Sequence, residues 1–475
     1  MIRGSAAPDH PKPVATTWTL AFEKIAQKNR AAVELLQLSA FLAPDDIPEE
    51  LIIGGAPDLS PALKSIVDDR IALNSAIATL LQYSLMRRDS YKKTLSIHRL
   101  VQAVLLDSMD EENARQWAER AVRIVNQVFP SGAFETWVEC DRLLPHALGC
   151  VAWVEKYHLF FSEVIHLLNR IGYYLSERAR YSEAEPLWKR ALEISEQLSG
   201  LSHPDTATSL HNLAELYRQQ GKYDLAEPLY HRALFIRKQT LGSEHPDVAN
   251  SLYGLANLYR KQSKYDLAEP LYQRALSIRE LRLGPEHPDV AYSLNGLANL
   301  YRKQGKHAEA EPLYQRALII REQVLGPDHP YTAKALNNLA HLYTNQGKFA
   351  EAEPLYQRAL SIRERVLGPD HPDTAQTLDN LASLYADQSK FEQAEPLYLR
   401  ALTIRKQVLG SDHPDTATTL NNLANLYRDQ SKFEQAEPLY QHALVIREKI
   451  LGPENPATIT VRHHLASLQQ KRASK

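Results

Sequence analysis

Six histidines, each followed by proline, recur every 42 residues in this chain, at His203, His245, His287, His329, His371 and His413. An imidazole can bind a metal, move a proton or cap a helix. Equivalent residues of stacked helices lie roughly 10 Å apart, whereas ligands sit about 2 Å from a shared ion. The histidines are therefore expected to cap helices, not to hold a metal. Arg237, Arg279, Arg321, Arg363, Arg405 and Arg447 keep the same step. They are expected near helix C-termini, where cations complement the dipole, with the acids of the words "HPD" and "AEP" at N-termini for the same reason. Cys140 and Cys150 are the only cysteines and no CxxC occurs, so they read as buried small hydrophobes in a reducing compartment. The chain has no HExxH, GxSxG or GxGxxG motif, no HxH cluster, and no GxxxxGK(S/T) loop to cradle phosphates. No catalytic residue, metal or cofactor is expected, and the chain does not read as an enzyme.

These ladders need elements to carry them. From Pro414 onward, Leu420, Leu423, Ala424 and Tyr427 mark one helix face, and "DQSKF" interrupts it. Ala436, Leu439, Tyr440, Ala443, Leu444 and Ile446 then mark a second helix. Pro414 suits a first helical turn, His413 or Asp412 its cap, and Gly452 a left-handed stop. The word "AEPL" keeps the same step, with prolines at Pro186, Pro228, Pro270, Pro312, Pro354, Pro396 and Pro438. Pro438 is placed within about the first turn of its helix, where a missing N–H costs nothing and no kink is expected. Ala214, Ala256, Ala298, Ala340, Ala382 and Ala424 in first helices, and Ala233, Ala275, Ala317, Ala359, Ala401 and Ala443 in second helices, allow close approach. Tyr217, Tyr259, Tyr301, Tyr343, Tyr385 and Tyr427 fill the spaces opposite. One pair cannot bury its own apolar face, so the stack is the fold.

The pattern LAxLY in the first helix with AxxxYxxAL in the second resembles the tetratricopeptide repeat. The 42-residue period, with "LGx(D/E)HPD" joining the pairs, resembles its kinesin light chain variety. The resemblance covers about residues 163–471, as seven helix pairs and a lone last helix in which Gln469 replaces the tyrosine and Gln470, Lys471 and Arg472 make a polar end. It implies an all-α fold, a right-handed superhelical solenoid whose first helices line a concave groove. In that family the groove-facing positions lie two before, two after and five after the leucine of "LA". Carried over, the first row is His211, Tyr253, Asn295, Asn337, Asp379, Asn421 and His463. The second is Glu215, Asn257, Asn299, His341, Ser383, Asn425 and Ser467, and the third Arg218, Arg260, Arg302, Thr344, Ala386, Arg428 and Gln470. These positions are polar and varied, while the packing positions barely change. Asparagine can pair with a peptide backbone as donor and acceptor, and arginine can fork onto a carboxylate. The early pairs carry Arg218, Arg260, Lys261, Arg302, Lys303 and Lys334; the later ones carry Asp379, Asp387 and Asp429, with Arg428 among them. A protein or peptide ligand is expected with its acidic part toward the early repeats.

Upstream, three stretches differ: "TTWTLAFEKI" from Thr16, "LLQLSAFLAPDDIPEELI" from Leu35 and "YSLMRRDSYKKTLSIHRLVQAVLLDSM" from Tyr83. They read as helix, turn and helix, then a hairpin around "RDSYKK" and another helix. Together they resemble the winged-helix module of NB-ARC (STAND) ATPases. In the place of that family's M-H-D motif stand Ile97, His98 and Arg99. The resemblance makes His98 the residue that reaches the nucleotide's phosphates, with Arg99 where the family has Asp. It also implies a nucleotide-binding domain, outside this chain, that contacts the winged helix. The domains expected are a disordered tail at 1–16, a winged helix at 17–110, linking helices in an irregular repeat at 111–162, the repeats with their capping helix at 163–471, and a tail at 472–475. The candidate recognition helix, Leu73 to Leu85, holds no Lys or Arg, so nucleic acid is not an expected partner despite Arg87, Arg88, Lys92 and Lys93 on the wing.

The 55 Lys and Arg nearly balance 57 Asp and Glu, a formal charge of -2, so no whole-chain field draws the protein to nucleic acid or an anionic membrane. No run of about 18 apolar residues occurs, and "MIRGSAAPDHPKPVATT" has no apolar core of a signal peptide, so a cytoplasmic location and no membrane partner are expected. The function expected is a non-enzymatic protein- or peptide-binding scaffold, the ligand-sensing C-terminal arm of a STAND-type signalling NTPase. The alternatives are a free-standing kinesin light chain-like adaptor, which an N-terminal heptad coiled coil would have favoured, and a winged-helix DNA-binding regulator with a sensor solenoid. The purified chain should not hydrolyse ATP or GTP above a buffer control. Metal-dependent turnover abolished by a mutation in this chain would overturn the non-enzymatic reading.

Overall fold

A computed structural model describes residues 22–55, 59–67 and 69–473. The tail expected at 1–16 lies outside them. The chain divides into two compact units, one of residues 1–177 and 186–200, the other of 178–185 and 201–475.

In the first unit a helical stretch over 22–28 precedes α1 (Arg30–Ala40), β1 (Ile47–Pro48), α2 (Glu49–Gly54), α3 (Pro61–Val67) and α4 (Arg70–Gln82), then β2 (Met86–Asp89), β3 (Thr94–Ile97) and α5 (Arg99–Ser108). The strands form one antiparallel sheet in the order β1-β3-β2. The Asp89 carboxylate tightens the hairpin by accepting the N–H groups of Tyr91 and Lys92, both at 2.9 Å. Leu35, Leu36, Phe41, Ile47, Leu63, Leu80 and Leu95 fill the core beneath it. Then follow α6 (Glu111–Val128), α7 (Trp137–Tyr157), α8 (Ser162–Glu177) and α9 (Tyr181–Ser199). Cys140 and Cys150 on α7 are free and buried. Gly172 on α8 leaves room for the Trp188 ring, which a Cβ would meet at 2.8 Å.

The second unit is a stack of helix pairs. Its first helices are α10 (Pro204–Gln219), α12 (Pro246–Lys261), α14 (Pro288–Lys303), α16 (Pro330–Asn345), α18 (Pro372–Asp387) and α20 (Pro414–Asp429). Their partners are α11 (Tyr223–Leu241), α13 (Tyr265–Leu283), α15 (His307–Leu325), α17 (Phe349–Val366), α19 (Phe391–Val408) and α21 (Phe433–Leu451), and α22 (Pro456–Ala473) closes the stack. The His-Pro histidines are the caps: each Nδ1 accepts the N–H two residues on, at 3.0–3.3 Å. The twelve ladder alanines are fully buried.

Four local expectations need correction. Gly242, Gly284, Gly326 and Gly452 end their helices at φ 85–96° with ψ 153–162°. That is the extended mirror region, open essentially to glycine alone, not the left-handed helical well. Pro228 is the sixth residue of α11, and Pro438 holds the same place in α21. The prolines thus lie beyond the first turn, and each removes a real intrahelical donor. The "AEP" glutamates are not dipole partners. Glu185, Glu227, Glu269, Glu311, Glu353 and Glu395 accept the hydroxyls of the ladder tyrosines Tyr217 to Tyr427 at 2.8–3.1 Å. Each such bond ties a second helix to the next first helix.

The arginine ladder is the fourth. Arg237, Arg279, Arg321, Arg363, Arg405 and Arg447 are 1–7% exposed. Each Nη1 donates to the carbonyl ten residues on, in the first turn of the following helix, at 2.6–3.4 Å. Arg237, Arg279, Arg405 and Arg447 also reach back to Thr208, Asn250, Gln376 and Thr418 on the first helix of their own pair. These guanidiniums staple three helices. At Arg405 the staple includes a buried ion pair with Asp379, whose carboxylate also accepts from Thr419 at 3.0 Å.

The stack also touches itself. Asn455 stands where the other pairs have histidine. Its Oδ1 caps α22 at the Ala457 N–H (2.9 Å), and its Nδ2 donates to the Gln220 carbonyl in the turn after α10 (3.1 Å). The neighbouring residue is Gly221, where a Cβ would meet Asn455 Nδ2 at 2.5 Å. Ser263, Ser389 and Ser431 fill the same turn position at φ 59°, so space, not backbone angle alone, demands glycine at 221. Arg178 Nη1 likewise reaches the Val408 carbonyl at 3.4 Å.

Arg405→Ala would leave Asp379 buried without its cation and should cost about 3–5 kcal/mol in urea unfolding. Replacing the pair together, as Arg405→Met with Asp379→Leu, should cost clearly less. Equal losses would show that the stranded charge is not the cause.

Candidate functional site

Successive first helices of the second unit approach one another more closely than successive second helices do, so the stack curves with its first helices inside. The three rows carried over from the sequence lie on that inner side, but they are not equally open.

The row two before the leucine is largely internal. Asn295, Asn337 and Asn421 are 6–7% exposed and Asp379 is 2% exposed. Their amides serve each other: Asn338 donates to Asn295 and Asn380 to Asn337, both at 3.2 Å, and His464 pairs with Asn421 at 2.9 Å. This corrects the expectation that Asn295, Asn337 and Asn421 offer free amides to a peptide backbone, and that Asp379 is an open groove acid. Burial, with the nearby Arg237 and Arg218, pushes His211 down to about 4 against the pull of Glu215, so it is neutral.

The row two after the leucine is half-buried and holds tyrosines of the second helices. Tyr272 donates to Asn257 at 2.7 Å, Tyr314 to Asn299 at 2.9 Å, and Tyr440 to Asn425 at 2.6 Å. Tyr230 donates to Glu215, and Ser383 meets Tyr398 at 2.8 Å. Asn299 spends its donor as well, on the Asn295 carbonyl. His341 is pushed down to about 4 by burial and by the Arg302 and Lys303 charges.

The row five after the leucine carries the cations. Arg218 pairs with Glu215 at 2.6 Å. Burial works against both charges, yet each holds the other ionised: Arg218 stays above its ordinary range and Glu215 below. Arg260 donates only to neutral groups, the Tyr272 hydroxyl at 3.2 Å and Asn257 at 3.4 Å. Arg302 meets the Asn345 amide oxygen at 2.9 Å in the orientation that satisfies both amide atoms. One residue further on, the side chains stand open, and their sign changes: Lys261 and Lys303 in α12 and α14, Asp387 and Asp429 in α18 and α20. Lys261 is exposed to water yet ringed by protein. That surround, then Arg260, Arg218 and Lys303, bring its ammonium down to about 8. Asp387 is pushed up by its surroundings and by Asp429.

Sequence reasoning missed an aromatic pair on the same face. Tyr253 and Tyr292 lie with ring centroids 4.4 Å apart, above the Arg279 guanidinium at 5.4 and 5.5 Å. The readable signal is Gly254 and Gly296, which replace the asparagine that Asn338, Asn380 and Asn422 supply in the later pairs. In the first unit, His98 caps α5 by accepting the Leu100 N–H at 3.2 Å. With Ser84, Arg87, Arg88 and Arg99 it borders an open cavity of about 1010 Å³. Arg88 there is bound to Glu49 at 2.7 Å, and Arg99 faces Asp45 at 3.5 Å. Among the described residues no group of three or more His, Cys, Asp or Glu side chains is placed to hold a metal, and no helix is long and apolar enough to cross a membrane.

Residues 163–474 match the tetratricopeptide repeat family in seven overlapping stretches, and residues 20–114 match a domain of unknown function, DUF7779. A nucleotide-binding leucine-rich repeat (NLR)-like protein of Hyaloscypha variabilis is 37% identical over 200 residues, 42% of this chain and 19% of that protein. This chain thus spans under a fifth of that relative's length. Among solved structures, a Signal Transduction ATPase with Numerous Domains (STAND) protein with a tetratricopeptide repeat sensor, from Pyrococcus horikoshii, superposes on 98% of this chain and 63% of its own, at 15% identity and a TM-score of 0.53. That likeness is one of fold. The putative kinesin light chain repeats of Podosopora anserina align with 43% of this chain and 97% of their own at 28% identity, with a TM-score of 0.37.

A lysine whose pKa falls from 10.5 when unfolded to about 8 when folded releases its proton on folding between those values. The penalty on its charge, from the surrounding protein first and the neighbouring cations second, is in full force below pH 8 and gone above the unfolded value, so stability rises with pH across that window. Lys261→Gln should therefore raise the melting temperature at pH 7, with the gain shrinking toward pH 10. A gain that does not shrink would show that the lysine's charge is not its source.

Proposed function

Because the chain belongs to the tetratricopeptide repeat family, we propose that its second unit is a non-catalytic scaffold that holds a protein or peptide partner against the inner face of its first helices. The observation that carries this is the change of sign at one register, from Lys261 and Lys303 to Asp387 and Asp429. Each half sets like charges near one another: after the surrounding protein, which is the larger cause of both shifts, Arg260, Arg218 and Lys303 press on Lys261 and Asp429 on Asp387. A partner with its acidic part on the early pairs relieves one repulsion, and a basic part on the later pairs relieves the other. Glu215, Tyr253, Asn257, Asn299, His341 and Asn425 then border the ligand, and Arg218, Arg260 and Arg302 stand beside its carboxylates. The contact of Asn455 with the Gln220 carbonyl narrows access from the side, which favours an extended segment over a folded domain.

We read the whole chain as the sensing arm of a STAND-type switch. The NLR-like relative supports this, as does the fold shared with a STAND protein. In this reading the first unit meets a nucleotide-binding domain, and His98, beside its open basic cavity, faces the nucleotide. A phosphate-binding loop encoded in the same or an adjoining gene supports the arm; a locus without one removes it.

Extended acidic peptides selected from a library should bind more weakly to the double variant Arg260→Ala with Arg302→Ala, each exposed ion pair contributing up to about 1 kcal/mol. Added salt should weaken the wild-type complex. Arg316 and Arg358, exposed on second helices, are the control, and their joint replacement should change nothing. The buried ladder arginines cannot serve as one. If the control pair weakens binding and the inner pair does not, the partner lies on the outside.

A further inference from the structure

The repeats of this chain are their own control. A residue that departs from its copies marks a place with a task of its own. Two departures meet across the second unit. Asn455 stands where the other pairs have histidine, and its Nδ2 donates to the Gln220 carbonyl at 3.1 Å. Gly221 makes room for it, since a Cβ there would meet that nitrogen at 2.5 Å. At Gly305 and Gly347, in the same turn of later pairs, a Cβ would meet nothing within 4 Å.

The seam these residues form is polar and thinly packed. Arg178 adds one long bond, to the Val408 carbonyl at 3.4 Å. A hollow of about 270 Å³ lies between Tyr181, Ser182 and Lys222 on one side and Lys449 and Gly452 on the other. A seam that rests on such bonds around a hollow, not on interdigitated side chains, parts at small cost, because water takes up each freed group.

A stack whose seam parts must bend at a junction between pairs. Of the six junctions from α11/α12 to α21/α22, five are stapled by a ladder arginine with a side-chain acceptor: Ser251 for Arg237, Ser293 for Arg279, Thr377 for Arg363, Thr419 for Arg405 and Thr418 for Arg447. Arg321, at the third, has lost both kinds of acceptor. Ala335 stands where Ser251, Ser293, Thr377 and Thr419 supply a hydroxyl, and Tyr292 where Thr208, Asn250, Gln376 and Thr418 reach back. Among the described residues its guanidinium has one hydrogen bond, to the Tyr331 carbonyl at 2.9 Å, beside the Tyr331 ring at 6.0 Å. Tyr343 still donates to Glu311 at 3.0 Å and Asn338 to Asn295 at 3.2 Å, so this junction keeps its ties and lacks its staple. It also lies near the middle of the stretch from Gln220 to Asn455, from which a small rotation opens the seam widest.

We propose that the second unit is a clasped turn with its own hinge. Asn455 and Gly221 form the clasp, and the Arg321 junction between α15 and α16 bends when the clasp opens. Opening widens the way to the inner face. That consequence rests on the groove reading above, whereas clasp and hinge are measured with no partner present.

The test uses the full chain. Nitroxide labels on Asp224→Cys and Glu454→Cys, exposed positions beside the two halves of the clasp, report the width of the seam, since Cys140 and Cys150 are buried. Hydrogen exchange read by mass spectrometry reports each junction. Gly221→Ser and Asn455→His each install a residue the chain itself uses at the equivalent place, so the pairs still fold. Both should lengthen and broaden the label distance, and exchange should quicken across the end of α15 and the start of α16 more than at the other junctions. Ala335→Thr gives Arg321 the missing hydroxyl. It should slow exchange there on the order of tenfold, the effect of one hydrogen bond to a charged group. A label distance unchanged in both clasp variants overturns the clasp. Quickened exchange spread evenly over the six junctions, or exchange that Ala335→Thr leaves unchanged, overturns the hinge.

Discussion

A buried guanidinium in every second helix governs the architecture of the repeat unit. A charge so enclosed is tolerable only if its donors are met. Arg279 meets them with the Asp289 carbonyl and Ser293 on the next first helix and Asn250 on the previous one, and Arg405 does so with the Asp415 carbonyl, Thr419, Asp379 and Gln376. Because these acceptors belong to consecutive pairs, the angle between pairs is set by hydrogen-bond geometry as well as by side-chain volume. The small alanines bring helices close; the arginine decides in which register they stay. Repeating one junction along the stack gives a uniform curve with the first helices inside.

A second network settles what the inner face can offer. Tyrosine hydroxyls of four second helices point inward and donate to a side chain of the partner helix, as Tyr272 does to Asn257 and Tyr440 to Asn425. The amides that would suit a peptide backbone are in large part used up inside the protein. What remains open is the charged register one residue past the arginines and the Tyr253–Tyr292 pair. Neither of these depends on a vacant amide.

The stack also meets itself, and the residues that allow it are outliers in their own ladders. Asn455 can cap its helix with the oxygen and still donate with the nitrogen, whereas the histidine caps keep their second ring nitrogen on the far side of a larger ring. Gly221 gives the space that serine would fill. Two small substitutions in different pairs thus cooperate across a long stretch of chain.

The repeat period, the two helices of each pair, the histidine caps, the buried alanines and the opposite signs of the Lys261–Lys303 and Asp387–Asp429 positions were legible in the sequence, because each depends on residues within about one repeat. The hairpin around "RDSYKK" was legible for the same reason. The ends of the second helices were not: the depth of Pro438 and the backbone of Gly452 depend on where a helix starts and stops, which neighbouring pairs decide. Nor was the fate of the polar ladders. Arg405 reads as a helix-end cation and Asn337 as a groove amide until the next pair is in place, and burial then turns one into a staple and the other into an internal acceptor. Local pattern names which residues share a face; only the stacked structure decides which of them still see water, because that depends on acceptors brought in from residues 10 to 43 positions away.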